Sequence, residues 1–368
     1  MHSMSVYLDL TVREVIRETS DAITIVFEHP GDALDYRAGQ FLTLICEVKG
    51  AEIRRSYSLC TSPWVDEYPA VTVKRVADGL MSNHLNNTIT AGNTIKVMKP
   101  MGHFTIDIAP HNKRHVVLMG GGSGITPLMG IAKSVLSQEP ESRVSLVYAN
   151  RDLDSIIFKT QWEQLATQYP ERLTVVHSLD QAPPNWQGPA GMVTPDKLVE
   201  IIKQLPNQGV HSTEYFICGP NGLMNAIFGA LEILGVPKDR IKRELFVNNS
   251  SDKKNTDNNT MAESNAQNNE ALVEDDTKDY EVTIILDGEE HTFTVEAGYS
   301  ILETGLDEGI DMPYSCQSGL CTACRGKLLS GKVKMDETEG LSDEEMEEGY
   351  VLNCVGHPVT EGVRIEIG

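Results

Sequence analysis

Three cysteines crowd into one short stretch near the end of the chain, where Pro313 to Lys327 reads PYSCQSGLCTACRGK. Cys316, Cys321 and Cys324 stand at the spacing C-x4-C-x2-C, and Cys354 follows in NCVGHP. Three thiolates on one loop, with a fourth brought from a distance, is the ligand pattern of a plant-type [2Fe–2S] cluster. A compact dianionic core has to be wrapped closely by that loop. Gly319 and the small Ser315, Ser318 and Ala323 let backbone N–H groups approach the sulfurs. Four cysteines also suit a tetrahedral structural zinc, although zinc loops usually carry paired short knuckles and here one side is a lone cysteine. Iron–sulfur is the expectation, and zinc is the alternative.

Length leaves room for more than one core: 368 residues suffice for two or three domains. No apolar run reaches the ~18 residues of a spanning helix, so no membrane span is expected. The opening MHSMSVYLDLTV lacks the basic-then-apolar order of a secretory signal. Seven cysteines, four of them in one pattern, do not read as a disulfide framework. A reducing cytoplasm is the expected setting.

The net charge of −22 is unevenly spread. Residues 278–368 carry 20 acidic against 6 basic residues, a net of −14, while residues 1–250 are near balance at 26 against 23. Nucleic-acid binding calls for basic patches and is not expected. Such an acidic region suits steering toward a basic protein partner, or simply keeps a small domain soluble. The runs Asp336–Glu339 and Asp343–Glu348 are the candidate partner contacts.

Hydrophobic patterning divides the chain into three domains and a linker. Residues 5–110 read as short strands, YLDLTVREVI, ITIVFEH, FLTLICEV, AVTVKRV and NTIKVMK, separated by turn residues. They predict an antiparallel β-barrel with one helix near Met81–Leu85. Residues 111–248 alternate strand and helix from HVVLMG to NGLMNAIFGALEILG, which predicts a parallel sheet covered on both faces. Residues 249–277, rich in Asn, Ser and Asp, predict a disordered tether. Residues 278–368 open with a hairpin turning at Asp287-Gly288 and a short helix over SILETGLDEG, ahead of the cysteine loop.

Two stretches of the first domains suit anionic ligands. Gly79, Leu80, Met81 and Ser82 open a helix just after a strand, and helix N-termini bind pyrophosphate. Gly120, Gly121, Gly122, Ser123, Gly124, Ile125, Thr126 and Pro127 lie between a strand and a helix, where glycines allow close approach of a diphosphate. This is not the Rossmann G-x-G-x-x-G, because Pro127 stands where the third glycine belongs.

These stretches, together with Arg55-Ser56-Tyr57-Ser58 (R-x-Y-S), the P-x-G-x-F turn Pro100–Phe104, and Cys218-Gly219-Pro220 at a strand end, resemble the ferredoxin–NADP reductase superfamily. The resemblance implies that Arg55 pairs with a flavin phosphate, that Tyr57 packs on the isoalloxazine and that Ser58 bonds near N5. It implies that Gly79 to Ser82 hold the diphosphate of FAD rather than FMN. It further implies that the Gly121–Thr126 loop and Cys218, Gly219 and Pro220 guide the nicotinamide, with Ser58, Thr126 and Cys218 lining the flavin–nicotinamide contact. Arg151, in Y-x-N-R, is implied at the adenine-ribose end. Glu244 and Phe246 match an E-x-F in which the aromatic covers the flavin; a core strand residue is the other reading of Phe246.

The domain order resembles the oxygenase-reductase branch typified by the reductase component of phenylacetyl-CoA epoxidase. It implies an enzyme that passes electrons from NAD(P)H, with a lean to NADPH, through FAD and a [2Fe–2S] centre on Cys316, Cys321, Cys324 and Cys354. The implied acceptor is a di-iron oxygenase of phenylacetate catabolism. Acyl desaturases, Rieske-type oxygenases and hybrid-cluster proteins are alternative acceptors. A different class, a zinc-stapled redox-sensing module, is separated from these by iron content.

Overall fold

The computed structural model describes residues 6–31, 34–206, 211–244, 246 and 278–367. They fall into two compact units, one within residues 5–246 and the other within 247–368. The tether expected at 249–277 lies outside the described residues.

The first unit begins with a six-stranded antiparallel sheet. Its strands are β1 (Tyr7–Thr19), β2 (Ala22–Phe27), β3 (Phe41–Val48), β4 (Ala51–Ser58), β5 (Ala70–Lys74) and β6 (Thr94–Met101), in the order β4-β3-β6-β1-β2-β5. Strand β1 pairs with β6 over Tyr7–Thr11 and takes β2 from Val12 onward, with register shifts after Val12 and after Arg17. Such irregularities bend a strand and let a sheet curl. The curl brings the two edges together, for Leu59 bridges Val71 just beyond β4. The expected barrel is therefore present, with helix α1 (Leu80–Thr88) where one was predicted.

Strand β2 explains why alternation was weak there. All six residues are buried. Ile23, Ile25 and Phe27 enter the barrel core, while Ala22 and Val26 join the core of the next sheet. Burial on both faces replaces alternation with a continuous apolar run.

That next sheet is five-stranded and wholly parallel, ordered β11-β10-β7-β8-β9. Its strands are β7 (Arg114–Gly121), β8 (Arg143–Asn150), β9 (Leu173–Leu179), β10 (Ser212–Cys218) and β11 (Ile241–Glu244). Helices α2 (Ile125–Gln138) and α3 (Lys159–Gln168) pack on one core, with Val116 and Leu118 of β7. Helices α4 (Pro195–Gln204) and α5 (Asn221–Ile233) pack on the other, with Val117 and Met119. Barrel and sheet are joined by side chains as well as core. Ser134 Oγ donates to Ser62 Oγ at 2.7 Å, Lys133 pairs with Asp66 at 2.8 Å, and Phe104 meets the edge of Phe216 at 5.5 Å.

The second unit is an α+β domain. Strands β12 (Tyr280–Leu286), β13 (Glu289–Val295), β14 (Arg325–Ser330), β16 (Tyr350–Leu352) and β18 (Val363–Ile367) form a sheet in the order β13-β12-β18-β14-β16, with β12 and β18 parallel. Helix α6 (Ile301–Asp307) packs on this sheet through Ile301 and Leu302. A two-stranded ribbon pairs β15 (Val333–Met335) with β17 (Gly356–Pro358). This is the β-grasp pattern expected of a ferredoxin domain. The hairpin turns at Asp287 and Gly288, both at positive φ (52° and 84°), as a two-residue turn requires. Helix α7 (Asp343–Glu347) was not predicted, although Ser342 and Glu345 form a capping box that announces it.

Candidate redox sites

The C-terminal ends of three adjacent parallel strands bring Gly120, Cys218 and Glu244 into one row, since β10 pairs Cys218 with Gly120 on one side and Glu244 on the other. Ligands of open α/β sheets bind at such strand ends. The barrel contributes Ser58, whose Oγ donates to Glu244 Oε2 at 3.3 Å across 186 residues of chain. Crowding by protein pushes the Glu244 carboxyl up to about 8, against a smaller lowering by the Ser58 hydroxyl. Burial, and then the nearby Glu244, push the Cys218 thiol up as well. Both groups hold their protons at neutral pH. Of the expected set, the structure thus brings Ser58 and Cys218 together around Glu244.

The glycine loop is tight for a reason the sequence hid. A Cβ on Gly124 would collide with the carbonyl of Cys218, one on Gly121 would lie 2.5 Å from Leu223, and one on Gly120 would lie 2.7 Å from Leu128. Gly124 lets the loop lie backbone to backbone against 218–219, while Gly120 and Gly121 leave room for the ends of Leu128 and Leu223. Gly122 differs: at φ +54° it faces open space, with Lys74 Nζ 3.8 Å from where a Cβ would stand. Lys74, on barrel strand β5, was not singled out from sequence; its strand position alone gave no signal. Tyr148 donates to the Gly122 carbonyl at 2.8 Å, and Thr126 Oγ1 donates to the Ser123 carbonyl at 2.9 Å. Thr126 therefore shapes its own loop and is 2% exposed.

Helix N-termini around these loops lack side-chain caps, although at α2 the Ile125 N–H is already bonded to the Gly122 carbonyl. Helix α1 starts at Gly79, α2 at Gly124 and α5 at Pro220, none with a side-chain cap and none with an acid in its first turn. Their N–H groups and positive ends suit an anionic ligand. Within Gly79–Ser82, Met81 is part of the barrel core and Ser82 Oγ accepts the Val76 N–H at 3.0 Å. Leu80 is exposed. Arg55 and Tyr57 sit two apart on β4, Tyr57 packing against the barrel core, and Arg55 Nη1 donates to the Arg54 carbonyl at 2.7 Å. Arg151, just past β8, is 64% exposed and bonded to Asp152 at 2.8 Å. Phe246 is 36% exposed, which disfavours the core reading. Uncapped helix ends, an adjacent guanidinium and an open loop fit a dinucleotide flavin and a nicotinamide nucleotide.

In the second unit the cysteine loop is built on two left-handed residues, Gln317 (φ 54°) and Gly319 (φ 73°). They turn the Ser318 N–H toward Cys316 Sγ, at 3.5 Å. Gly340 N donates to the Gly319 carbonyl at 2.8 Å, and a Cβ on Gly340 would lie 2.7 Å from that carbonyl oxygen. Asn353 ties the fourth cysteine in: its backbone and side-chain N–H groups both donate to the Cys324 carbonyl, at 3.1 and 2.9 Å. Cys321 and then Cys354 lower the Cys316 thiol, and Cys316 in turn raises Cys321 and Cys354. Among the described residues no three His, Cys, Asp or Glu side chains close on a single ion.

The acidic runs are less uniform than they looked. Asp343, Glu344, Glu347 and Glu348 are exposed, but Glu345 is buried against Arg325 and caps α7. Glu337 accepts the N–H groups of Thr338 and Glu339. His357, assigned nothing from sequence, bonds the Tyr299 carbonyl and Asp336. Among the described residues no helix is long and apolar enough to cross a membrane.

This geometry defines a flavin- and nicotinamide-dependent oxidoreductase joined to an iron–sulfur domain, and comparison with known proteins agrees. Residues 8–106 match an oxidoreductase FAD-binding domain, 118–228 an oxidoreductase NAD-binding domain and 284–359 a 2Fe-2S iron-sulfur cluster binding domain. The chain is 40% identical over 361 residues to the ferredoxin reductase component of 3-ketosteroid-9-alpha-monooxygenase from Rhodococcus rhodochrous, covering 97% of this chain and 96% of that one. It is 34% identical to a component of 1,2-phenylacetyl-CoA epoxidase from Escherichia coli, covering 99% and 98%. Phthalate dioxygenase reductase shares the fold at a TM-score of 0.57 and 22% identity over 98% of each chain. The chain belongs to the family of three-domain oxygenase reductases that carry FAD, nicotinamide-nucleotide and [2Fe–2S] sites. The cofactors are thereby FAD, a nicotinamide nucleotide and a [2Fe–2S] cluster, not zinc.

Proposed function

We propose that this reductase carries electrons from NADPH to the oxygenase component of a monooxygenase system, with Cys316, Cys321, Cys324 and Cys354 as cluster ligands. The observation that supports the active-site reading most is the Ser58–Glu244 hydrogen bond, which joins the barrel to the row of strand ends. Bound FAD would supply the chemistry that converts two-electron hydride uptake into single-electron release. The chain's own residues hold and orient. Arg55 and the open ends of α1 and α2 bind phosphate, and Tyr57 offers a ring face. Ser58 and Glu244 keep a proton at the inner end of the site, on the Glu244 carboxyl. Cys218 stays a neutral thiol there and brings no second charge.

Domain order put phenylacetyl-CoA epoxidase first among acceptors, but the greater identity to the ketosteroid-monooxygenase component, 40% against 34%, reverses the order in which they should be tried. Supplying each oxygenase component with this reductase and NADPH tests the choice by product formation. Product with neither overturns both acceptors. NADPH as donor rests on Arg151, an exposed cation beyond the end of β8. Arg151→Ala should raise KM for NADPH about tenfold and leave NADH alone, as loss of a charge-assisted bond would; equal effects on the two dismiss that role. Reversing the charge of Asp343, Glu344 and Glu347 together should slow electron delivery at low salt, and a rate unmoved by this removes the acidic face as the docking surface.

A further inference from the structure

Ser318 stands out within the cysteine loop. Its Oγ is buried and has no aligned hydrogen-bond partner among the described residues. Leaving a buried hydroxyl unmatched is costly. Yet the loop is strained in a way that keeps Ser318 where it is. Gln317 holds a left-handed φ of 54° that a side chain adopts rarely, and this residue turns the Ser318 N–H onto Cys316 Sγ at 3.5 Å. The hydroxyl belongs to the residue whose N–H already meets that sulfur, and it has no aligned bond of its own. Nor is there room to rebuild the loop, since a Cβ on neighbouring Gly319 would lie 2.7 Å from Glu337 Cβ.

We propose that the Ser318 hydroxyl is a hydrogen-bond donor to the sulfur of the bound cluster at Cys316 and sets its reduction potential. The inference rests on the assignment of the four cysteines as ligands. Accepting one electron makes the cluster more negative, and a donor to its sulfur stabilises that state more than the oxidised one. No bond is made or broken and no proton changes hands. The consequence is an easier electron transfer from the flavin into a centre of otherwise very low potential, while the buried hydroxyl gains its partner. Ser318 is a positioning residue in this role, acting on the cluster and not on substrate.

The test is a potentiometric titration of the full-length holoprotein, read by electron paramagnetic resonance of the reduced cluster and by flavin absorbance. Ser318→Ala and Ser318→Gly remove the donor, and Ser318→Thr keeps it. Each donor-free variant should hold iron and sulfide as the wild type does. Its cluster reduction equilibrium should be three- to tenfold less favourable, about 28–59 mV lower for one electron. The flavin potential and the Ser318→Thr cluster should match wild type. A shift below twofold, about 18 mV, in a loaded variant overturns the inference. So does failure of both donor-free variants to hold iron, which would make Ser318 a structural residue. Wild-type protein without iron would instead count against the ligand assignment.

Discussion

The two units finish their helices in opposite ways. In the flavin–nicotinamide unit, α1, α2 and α5 begin at Gly79, Gly124 and Pro220 without a side-chain cap or a first-turn acid. In the ferredoxin unit, α6 and α7 are both capped by serine, Ser300 and Ser342, and both carry acids in the first turn. Helix α4 in the first unit is capped by Thr194 with Asp196 beside it, whereas α3 starts at Phe158 without a cap or a first-turn acid. An uncapped helix end leaves N–H groups that an anionic ligand can take in place of a cap. Where the cofactor is itself a sulfur-ligated anion, helix ends are satisfied internally and carboxylates face outward. One unit is arranged to attract negative charge, the other to surround it.

The strongest break of this contrast is Cys354→Ser, which should release the cluster and cut electron delivery to an oxygenase at least ~100-fold. NADPH-driven reduction of ferricyanide by the first unit should stay near wild type. Loss of both activities together would mean that the units do not bind their cofactors independently. Glu244→Gln comes next. With the wild-type carboxyl pushed up to about 8, stopped-flow flavin reduction should fall about tenfold per pH unit above that value. The variant should be slower but flat. Stability has a definite sign too: the folded state keeps this proton where the unfolded chain has lost it, so stability falls as pH rises from about 4.5 to about 8. Melting curves of Glu244→Gln should lack that slope.

Smaller effects sharpen the comparison of helix ends. Leu80→Asp puts a carboxylate on the open end of α1, and should weaken FAD binding by about 1–2 kcal/mol while leaving the apoprotein no less stable. Unchanged flavin affinity by fluorescence titration would move the diphosphate elsewhere. Ser342→Ala, at a closed end, should cost the ferredoxin unit about 1 kcal/mol in thermal denaturation. It should leave flavin affinity untouched.

Much of the architecture was legible because it is periodic. The alternating and continuous apolar runs located the barrel, the parallel sheet and the Asp287-Gly288 hairpin. Helix α7 was overlooked because its residues, DEEME, carry charge rather than an apolar stripe, and only Ser342 with Glu345 marked a start. The site was legible as motifs but not as contacts. Glu244 was a secondary position in the sequence, yet it is the residue on which Ser58 and Cys218 converge. Lys74 gave no signal, because its value lies in facing Gly122 from another sheet.

Chemistry that depends on residue type and local spacing was written in the chain itself: four thiols for a cluster, glycines at a strand–helix turn, a guanidinium and a ring two residues apart on a strand. The tertiary structure alone decided why Gly124 must be glycine, which acids face solvent, and where a half-buried carboxyl is crowded enough for its pKa to rise to about 8. Those outcomes depend on neighbours brought from distant segments, and a linear sequence does not state which atoms will share a dry volume.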